Sequence, residues 1–270
     1  MLTPALEDEL QFRYGRARGF RTLRWLSVGI LLLLLAAWQT EVNLKTLFED
    51  LPQGLGNLAL FLPPAWSALP ELVKPAIVTL LLALVPLPIS IALAIPVAFA
   101  GAANIAPPWL RPIARTYITF QRNLPEIVLI LLLVRAFGLG AFPGIVAIAL
   151  GSIGMLSKLL ADAIEEIDQD QLDAIACVGA SRWQVIRYAV IPALMPALIA
   201  NSLFRFEINM RQAGLLGAVG AGGLGYELYY ALNRLDYPHV TITFLILLLL
   251  IVCAERISDA LRRVLLSEGR

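Results

Sequence analysis

An all-α integral membrane protein with six membrane-crossing helices is the fold class this sequence predicts, and three observations predict it. Hydrophobic residues make up 59% of the 270 positions, charged residues only 15%, and mean hydropathy is +0.77; soluble domains run nearer a quarter charged. Several stretches approach the ~20 mostly apolar residues that a helix needs to cross a bilayer. They are residues 22–39, 74–102, 124–141, 143–161, 185–206 and 238–258. Basic residues gather at alternate connections, as the positive-inside rule requires.

The elements follow in order. Arg13, Arg16, Arg18, Arg21 and Arg24 precede the first apolar core, LSVGILLLLLAAW, which places the N-terminus inside. A basic flank and an apolar core also describe a secretory signal, but further spans follow, so the segment is expected to stay as an uncleaved signal-anchor. Residues 40–73 carry Glu41, Glu49, Asp50 and Glu71 against Lys45 alone, which marks them as external. Within them GLGNLALFLPPAWSALP (54–70) is apolar, proline-broken and too short to span, and reads as an interfacial segment with Trp66 at headgroup level. The second span holds Pro75, Pro86, Pro88 and Pro96, each removing a backbone donor and favouring a kink. Arg111, Arg115 and Arg122 separate the second and third spans, and Lys158, Arg182 and Arg187 border the loop between the fourth and fifth. Arg256, Arg262, Arg263 and Arg270 follow the sixth, so the C-terminus is inside as well.

Several function classes are disfavoured by composition. A net charge of +1 lacks the clustered basic footprint of nucleic-acid binding. Cys177 and Cys253 are far apart and form no CxxC pair, so neither a disulfide framework nor a metal site is suggested. His239 is the one histidine. An intramembrane serine hydrolase would need it beside a nucleophile such as Ser152 of GSIG (151–154), yet His239 falls at the outer start of the last span. A secondary transporter of a small anion is a second alternative, but the inverted repeats common in that class are not visible.

One polar stretch interrupts the apolar pattern. DQDQLDAIACV (168–178) places Leu172, Ile175, Ala176 and Val178 at approximately helical spacing, with acids on the remaining face. Gly179 then supplies the left-handed residue that closes many helices. Ser181 with Gln184 three residues on is a capping box that starts the next helix. That helix, RWQVIRYAVIPALMPALIANSLF, runs back into the membrane. The predicted product is a short cytoplasmic surface helix, a sharp turn and re-entry.

These residues resemble the cytoplasmic loop of inner-membrane permeases of ABC importers, of the form E-A-A, three residues, G, nine residues, I-x-L-P. Here Asp173-Ala174-Ile175 stand at the start, Gly179 at the required spacing, and Ala189-Val190-Ile191-Pro192 at the end. Asp replaces the first Glu, Ile175 the second alanine, and Ala189 and Ile191 the I and L. The stretches 122–144, 144–168 and 202–225 further resemble phosphonate-type permeases, with GSIGMLSKLL and RFEINMR closest to that pattern. Where those permeases read S-A-T after R-F-E-x-N-x-R, this chain has Gln212-Ala213-Gly214. The resemblance implies a type I importer permease, N-in and C-in, with 1–21 and 259–270 as cytoplasmic tails. The permease domain is then 22–258 and its coupling loop 162–184. It implies a phosphonate, phosphite or hypophosphite cargo, a second permease subunit (the same chain or another), two cytoplasmic ATPase subunits and an external substrate-binding protein. The coupling loop is expected to rest on the ATPase through Asp173, Ala174, Ile175, Gly179, Ser181 and Pro192. The chain carries no G-x-x-x-x-G-K-[ST] phosphate loop, so ATP and magnesium belong on the partner and no cofactor on this chain.

Charges inside apolar spans usually face the bundle interior or a water-filled cavity. Arg122, Glu126, Arg135, Arg205, Glu207 and Arg211 are such residues. Glu207 and Arg211, four apart, are expected to pair; Arg122 and Glu126, four apart in reversed order near the cytoplasmic end of the third span, are either a gate or a packing pair. Arg205, Asn209 and Arg211 are alternatively donors to a passing oxyanion, with Glu207 tempering the affinity. The run GAGGLG contains Gly220, Gly222 and Gly223 and formally matches a dinucleotide fingerprint, but a membrane helix precedes it where that motif needs a strand. Close helix approach, or a bend with N–H groups facing a pore, is its expected use.

Overall fold

The computed structural model describes the backbone of residues 4–40 and 44–267, with side chains described for 22–40 and 49–265. Among these residues every regular element is helical. The chain divides into two units, Met1–Ala59 and Leu60–Arg270. The first consists of helices α1 (Pro4–Gln39) and α2 (Leu44–Ala59). Its span Thr22–Gln39 buries none of its side chains within the protein, so its apolar surface is left for lipid.

The second unit opens with a short 3-10 turn (Trp66–Ala68) and two helices joined at Val85, α3 (Leu69–Leu84) and α4 (Pro86–Gly101). Val85 keeps helical dihedrals, so Trp66–Gly101 forms one apolar stretch of 36 residues. At 1.5 Å per residue that is about 54 Å, well beyond a ~30 Å hydrocarbon core, and longer than the predicted 74–102. Ser90, Ala94, Ala98 and Ala102 recur every fourth position and are all fully buried. This small-residue stripe lets α4 lie against α7 (Ala141–Glu165) closely enough for Ser90 Oγ to reach the Ala149 carbonyl (3.2 Å) and Ser157 Oγ the Ala94 carbonyl (3.3 Å).

The predicted third span, 124–141, is not a straight crossing. Helix α5 (Leu110–Asn123) and helix α6 (Glu126–Phe137) meet at an 84° bend. Leu124 and Pro125 are both extended there, since proline disfavours helical dihedrals in the residue before it. At 12 residues, α6 is about 18 Å long, too short to cross alone. Among the described residues five helices are therefore long and apolar enough to span, and a sixth crossing exists only if the bent pair counts as one.

After α7 come the short helix α8 (Gln169–Cys177) and helix α9 (Arg182–Val185), then a π-helical turn (Ile186–Val190) leading into α10 (Ile191–Leu216). Pro192 accounts for the widened turn: it cannot donate to the Tyr188 carbonyl and its ring crowds that carbonyl, and Ile191 N–H instead reaches back to Ile186. A second π-helical turn (Gly217–Ala221) carries the chain into α11 (Gly223–Asn233), and α12 (Tyr237–Ser267) closes the bundle. The apolar stretch Arg182–Ala221 thus outruns the predicted 185–206 by 15 residues at its far end, because both turns stay helical enough to extend it.

The glycine run is a packing device. A Cβ on Gly225 would meet the Gly214 carbonyl, and one on Gly217 would lie 2.6 Å from the Gly222 carbonyl. Substituting Gly225 with alanine is expected to destabilise the detergent-solubilised protein by about 1–3 kcal/mol, the usual penalty of overpacking. Gly29, with nothing within 4 Å of its Cβ position, should accept alanine without loss. Thermal unfolding of the two variants checks both.

Candidate functional site

The surface helix forms where expected. Asp168 caps α8 by accepting the Asp170 N–H (3.1 Å). Leu172, 6% exposed, anchors it in an inner core with Ala98, Leu160, Ile164 and Val190. Ile175 is half-buried, but Ala176 and Val178, expected on the same apolar face, are exposed, Val178 at 83%. The helix is too short and too near its C-terminal turn to bury more than one residue. Asp173 and Ala174 are exposed, and Asp173 accepts from Gln169 Nε2 at 3.1 Å. Gly179 closes the helix at φ +85° and donates to the Ala176 carbonyl (3.0 Å), a conformation that side chains with a Cβ rarely adopt. The capping box is present, with the Ser181 N–H donating to Gln184 Oε1 at 2.7 Å. Trp183 (80% exposed) and Tyr188 stand out from the same surface.

Below this helix the chain is clamped. Glu165, at the end of α7, accepts from the Ala103 N–H and from Arg115, which also donates to the Gly101 carbonyl at 3.0 Å. Asn104 Nδ2 donates to the Ile164 carbonyl at 2.8 Å. The ends of α4, α5 and α7 are thereby tied at the point from which α8 departs. Neither Arg115 nor Glu165 was singled out as a pair from sequence, because 50 positions separate them.

The intramembrane charges pair differently from the expectation. Glu126 does not meet Arg122, since the bend between α5 and α6 breaks the i,i+4 relation; it pairs with Arg205 of α10 at 2.8 Å. Arg205 is 3% exposed and also donates to Ser152 Oγ (2.7 Å), Gln212 Oε1 (3.1 Å) and Met155 Sδ (3.3 Å). Glu207 does not pair with Arg211 either. It meets Arg262 of α12 at 3.3 Å, a residue beyond the predicted last span. Asn209, fully buried, donates to the Ala83 carbonyl (3.2 Å) and accepts from Ser152 (3.3 Å). Arg205 and Asn209 are thus spent on protein partners, whereas Arg211 is exposed and makes no side-chain hydrogen bond or ion pair among the described residues.

GSIG explains the cluster's room. A Cβ on Gly151 would strike the Glu126 carboxylate, and one on Gly154 would lie 2.9 Å from the Gln121 side chain. Ser152 donates to the Ile148 carbonyl at 2.6 Å, and none of its partners is His239. Gly220, Gly222 and Gly223 all have positive φ, and the Gly220 carbonyl accepts from Gly140 N–H (2.9 Å). The neighbouring Leu224 N–H donates to the buried Thr79 hydroxyl (2.8 Å). The run therefore packs against α3 and the α6–α7 turn, the first of its two expected uses.

Arg205→Lys keeps the charge but loses the fork that serves four acceptors at once. It is expected to lower unfolding stability by about 1–3 kcal/mol through acceptors left unsatisfied. Arg211→Lys should leave stability within error of wild type, measured in the same denaturation series.

The family described as binding-protein-dependent transport system inner membrane component matches residues 90–266. The chain is 37% identical over 224 residues to a phosphate-import permease protein of Mycolicibacterium smegmatis, covering 82% of this chain and 42% of that longer protein. It is 32% identical over 253 residues to a phosphite transport system permease protein of Stutzerimonas stutzeri, covering 91% and 92% of the two chains. Among solved structures it is similar to an inward-facing methionine ABC transporter, with a TM-score of 0.67 at 21% identity, over 74% of this chain and 98% of that one. That likeness carries the type I importer fold. The chain belongs to the binding-protein-dependent inner-membrane permeases: it is a multi-pass transport subunit of an ABC importer and not an enzyme.

Proposed function

We propose that this subunit moves a small phosphorus oxyanion, phosphonate, phosphite or hypophosphite, inward across the membrane, driven by ATP hydrolysis on partner subunits. The observation that carries the coupling is α8 itself: a nine-residue helix held by one buried leucine on a clamped base, with its acidic and apolar outer surface uncovered. Asp173, Ala174, Ile175 and Gly179 form the ATPase contact, Ser181 starts the return helix, and Pro192 sets its angle. A rigid helix on such a base passes ATPase closure to α7 and α10 as a rigid-body movement. The cargo class rests on the relatives, whose names specify phosphate and phosphite transport.

The assembly consistent with this reading has a second permease subunit, two cytoplasmic ATPases that bind ATP and magnesium, and an external binding protein. Residues 22–258 form the permease domain and 162–184 its coupling loop, with the flanking tails inside. The path for the anion runs along the exposed face of α10, where Phe204, Arg211 and Leu215 follow at near-helical spacing. An arginine without a protein partner in an apolar span needs water or an anion beside it. Arg211 is accordingly the cargo's guanidinium, while Arg205, Glu126, Glu207 and Asn209 brace the wall behind it. Gly220, Gly222 and Gly223 shape its far end, and Arg122 lies toward the inner side.

ATP hydrolysis by the complete complex in liposomes, with the binding protein loaded in turn with methylphosphonate, phosphite, hypophosphite and phosphate, tests the reading. One of the reduced phosphorus anions should stimulate hydrolysis several-fold; equal response to empty and loaded binding protein would contradict it. Gly179→Trp should leave basal hydrolysis in place while abolishing anion uptake, and unchanged uptake would remove the coupling assignment.

A further inference from the structure

The inner half of the bundle holds a second set of charges, on α5 and α7, of which the path along α10 touches Arg122 alone. On α5, Arg115, Thr119 and Arg122 recur at i, i+4 and i+7, beside the buried stripe Ala114, Ile118 and Gln121. On α7, Lys158 and Asp162 stand one turn apart and pair with each other. The two helices run antiparallel: Arg115 meets Glu165 at one end, and Gln121 Nε2 donates to the Leu150 carbonyl (2.8 Å) toward the other. Between these polar edges lies a cavity of about 110 Å³ lined by Arg115, Thr119, Arg122, Lys158 and Asp162, with the buried Ile118 and Ala161 between them.

Charge and space both point to an anion. Arg115 with Glu165 and Lys158 with Asp162 are two neutral pairs. Arg122 is exposed and among the described residues makes no side-chain hydrogen bond or ion pair, and the Thr119 hydroxyl likewise has no partner among them. The cavity therefore holds one uncompensated positive charge, a free hydroxyl and two further cations whose spare N–H groups line it. Lys158 stands seven residues before the end of α7, about 10 Å along the helix, and Arg115 meets Glu165 at that end, so the site lies at the inner end of the span. The volume is about four times a water molecule's ~30 Å³ share of the liquid, room for one small tetrahedral group.

We propose that this α5–α7 cavity is an inner binding site for one phosphorus oxyanion, held by the Arg122 guanidinium, the Lys158 ammonium and the Thr119 hydroxyl. The Asp162 carboxylate on the same wall keeps the affinity modest, so the anion can leave. Two sources share this chemistry: a free anion on the inner side, and the phosphate of an anionic phospholipid headgroup, for which basic pockets between helices on the inner side are suited. The site stands on this geometry and not on the identity of the cargo.

The test uses the complete complex in nanodiscs, with a non-hydrolysable ATP analogue saturating the ATPase sites. Radiolabelled orthophosphate binding is measured in phosphatidylcholine discs, and retained phosphatidylglycerol is measured by native mass spectrometry from mixed discs. A free-anion site gives saturable phosphate binding that Arg122→Gln weakens about tenfold or more, the loss of one charged hydrogen bond, and that Arg122→Lys largely keeps. A lipid site gives no phosphate binding but a retained phosphatidylglycerol that Arg122→Gln releases. Thr119→Val, which changes no charge, should weaken whichever ligand is found. If neither ligand is bound, or Arg122→Gln alters neither, the proposal is wrong. Binding is read here without hydrolysis or uptake, so failure of this site leaves the coupling assignment and its uptake assay untouched.

Discussion

Burying a guanidinium in a bundle that crosses a membrane is tolerable only when its donors are met, and Arg205 shows how much structure that demands. Its partners come from α6, α7 and α10, so one side chain fixes three elements. Glu126 can reach it only because the α5–α6 chain turns sharply at Leu124-Pro125, and only because Gly151 and Gly154 leave room for that turn against α7. Removing one partner of a buried pair typically costs about 3–5 kcal/mol, so bend, glycines and charges stand or fall together.

The same constraint organises both ends of the transport unit. Toward the inner side, Glu165 and Arg115 tie α4, α5 and α7 at the base of α8, so a push on the surface helix is not absorbed by a loose joint. Toward the far end, Gly214, Gly217 and Gly225 let α10 and α11 touch backbone to backbone, and Thr79 satisfies the Leu224 N–H that the turn frees. In an apolar medium an unmet backbone donor costs several kcal/mol, which is why a polar threonine is fully buried in the apolar stretch of α3. Between the two, α10 runs unbroken from Pro192 to Leu216, joining the return from α8 to the exposed Arg211.

What could be read from the sequence was local. Gly179, Ser181 with Gln184, and Pro192 each act on the backbone within a turn of themselves, and each does so in the structure. The apolar runs gave the spans for the same reason, though not their ends, since hydropathy does not register a helix that continues past the membrane, as α12 does through Arg262. The charge partners were illegible. The i,i+4 rule proposes pairs on one helix, whereas Arg205 finds Glu126 across 79 positions and Glu207 finds Arg262 across 55. The predicted third span begins at Leu124-Pro125, where the break falls, but the basic residues before it read as a connection and hid the helix α5 on which they lie. Ser152, weighed from sequence as a candidate nucleophile, is an acceptor for Arg205.

The claim that most of this depends on is that Glu126 and Arg205 act as one unit joining the bent span to α10. A double-mutant cycle of Glu126→Gln and Arg205→Met, followed by chemical denaturation in detergent, measures it directly. The account predicts that each single change costs about 3–5 kcal/mol and that the double costs less than their sum by at least ~1 kcal/mol, as contacting residues do. Additive losses, or a single variant as stable as wild type, would contradict it.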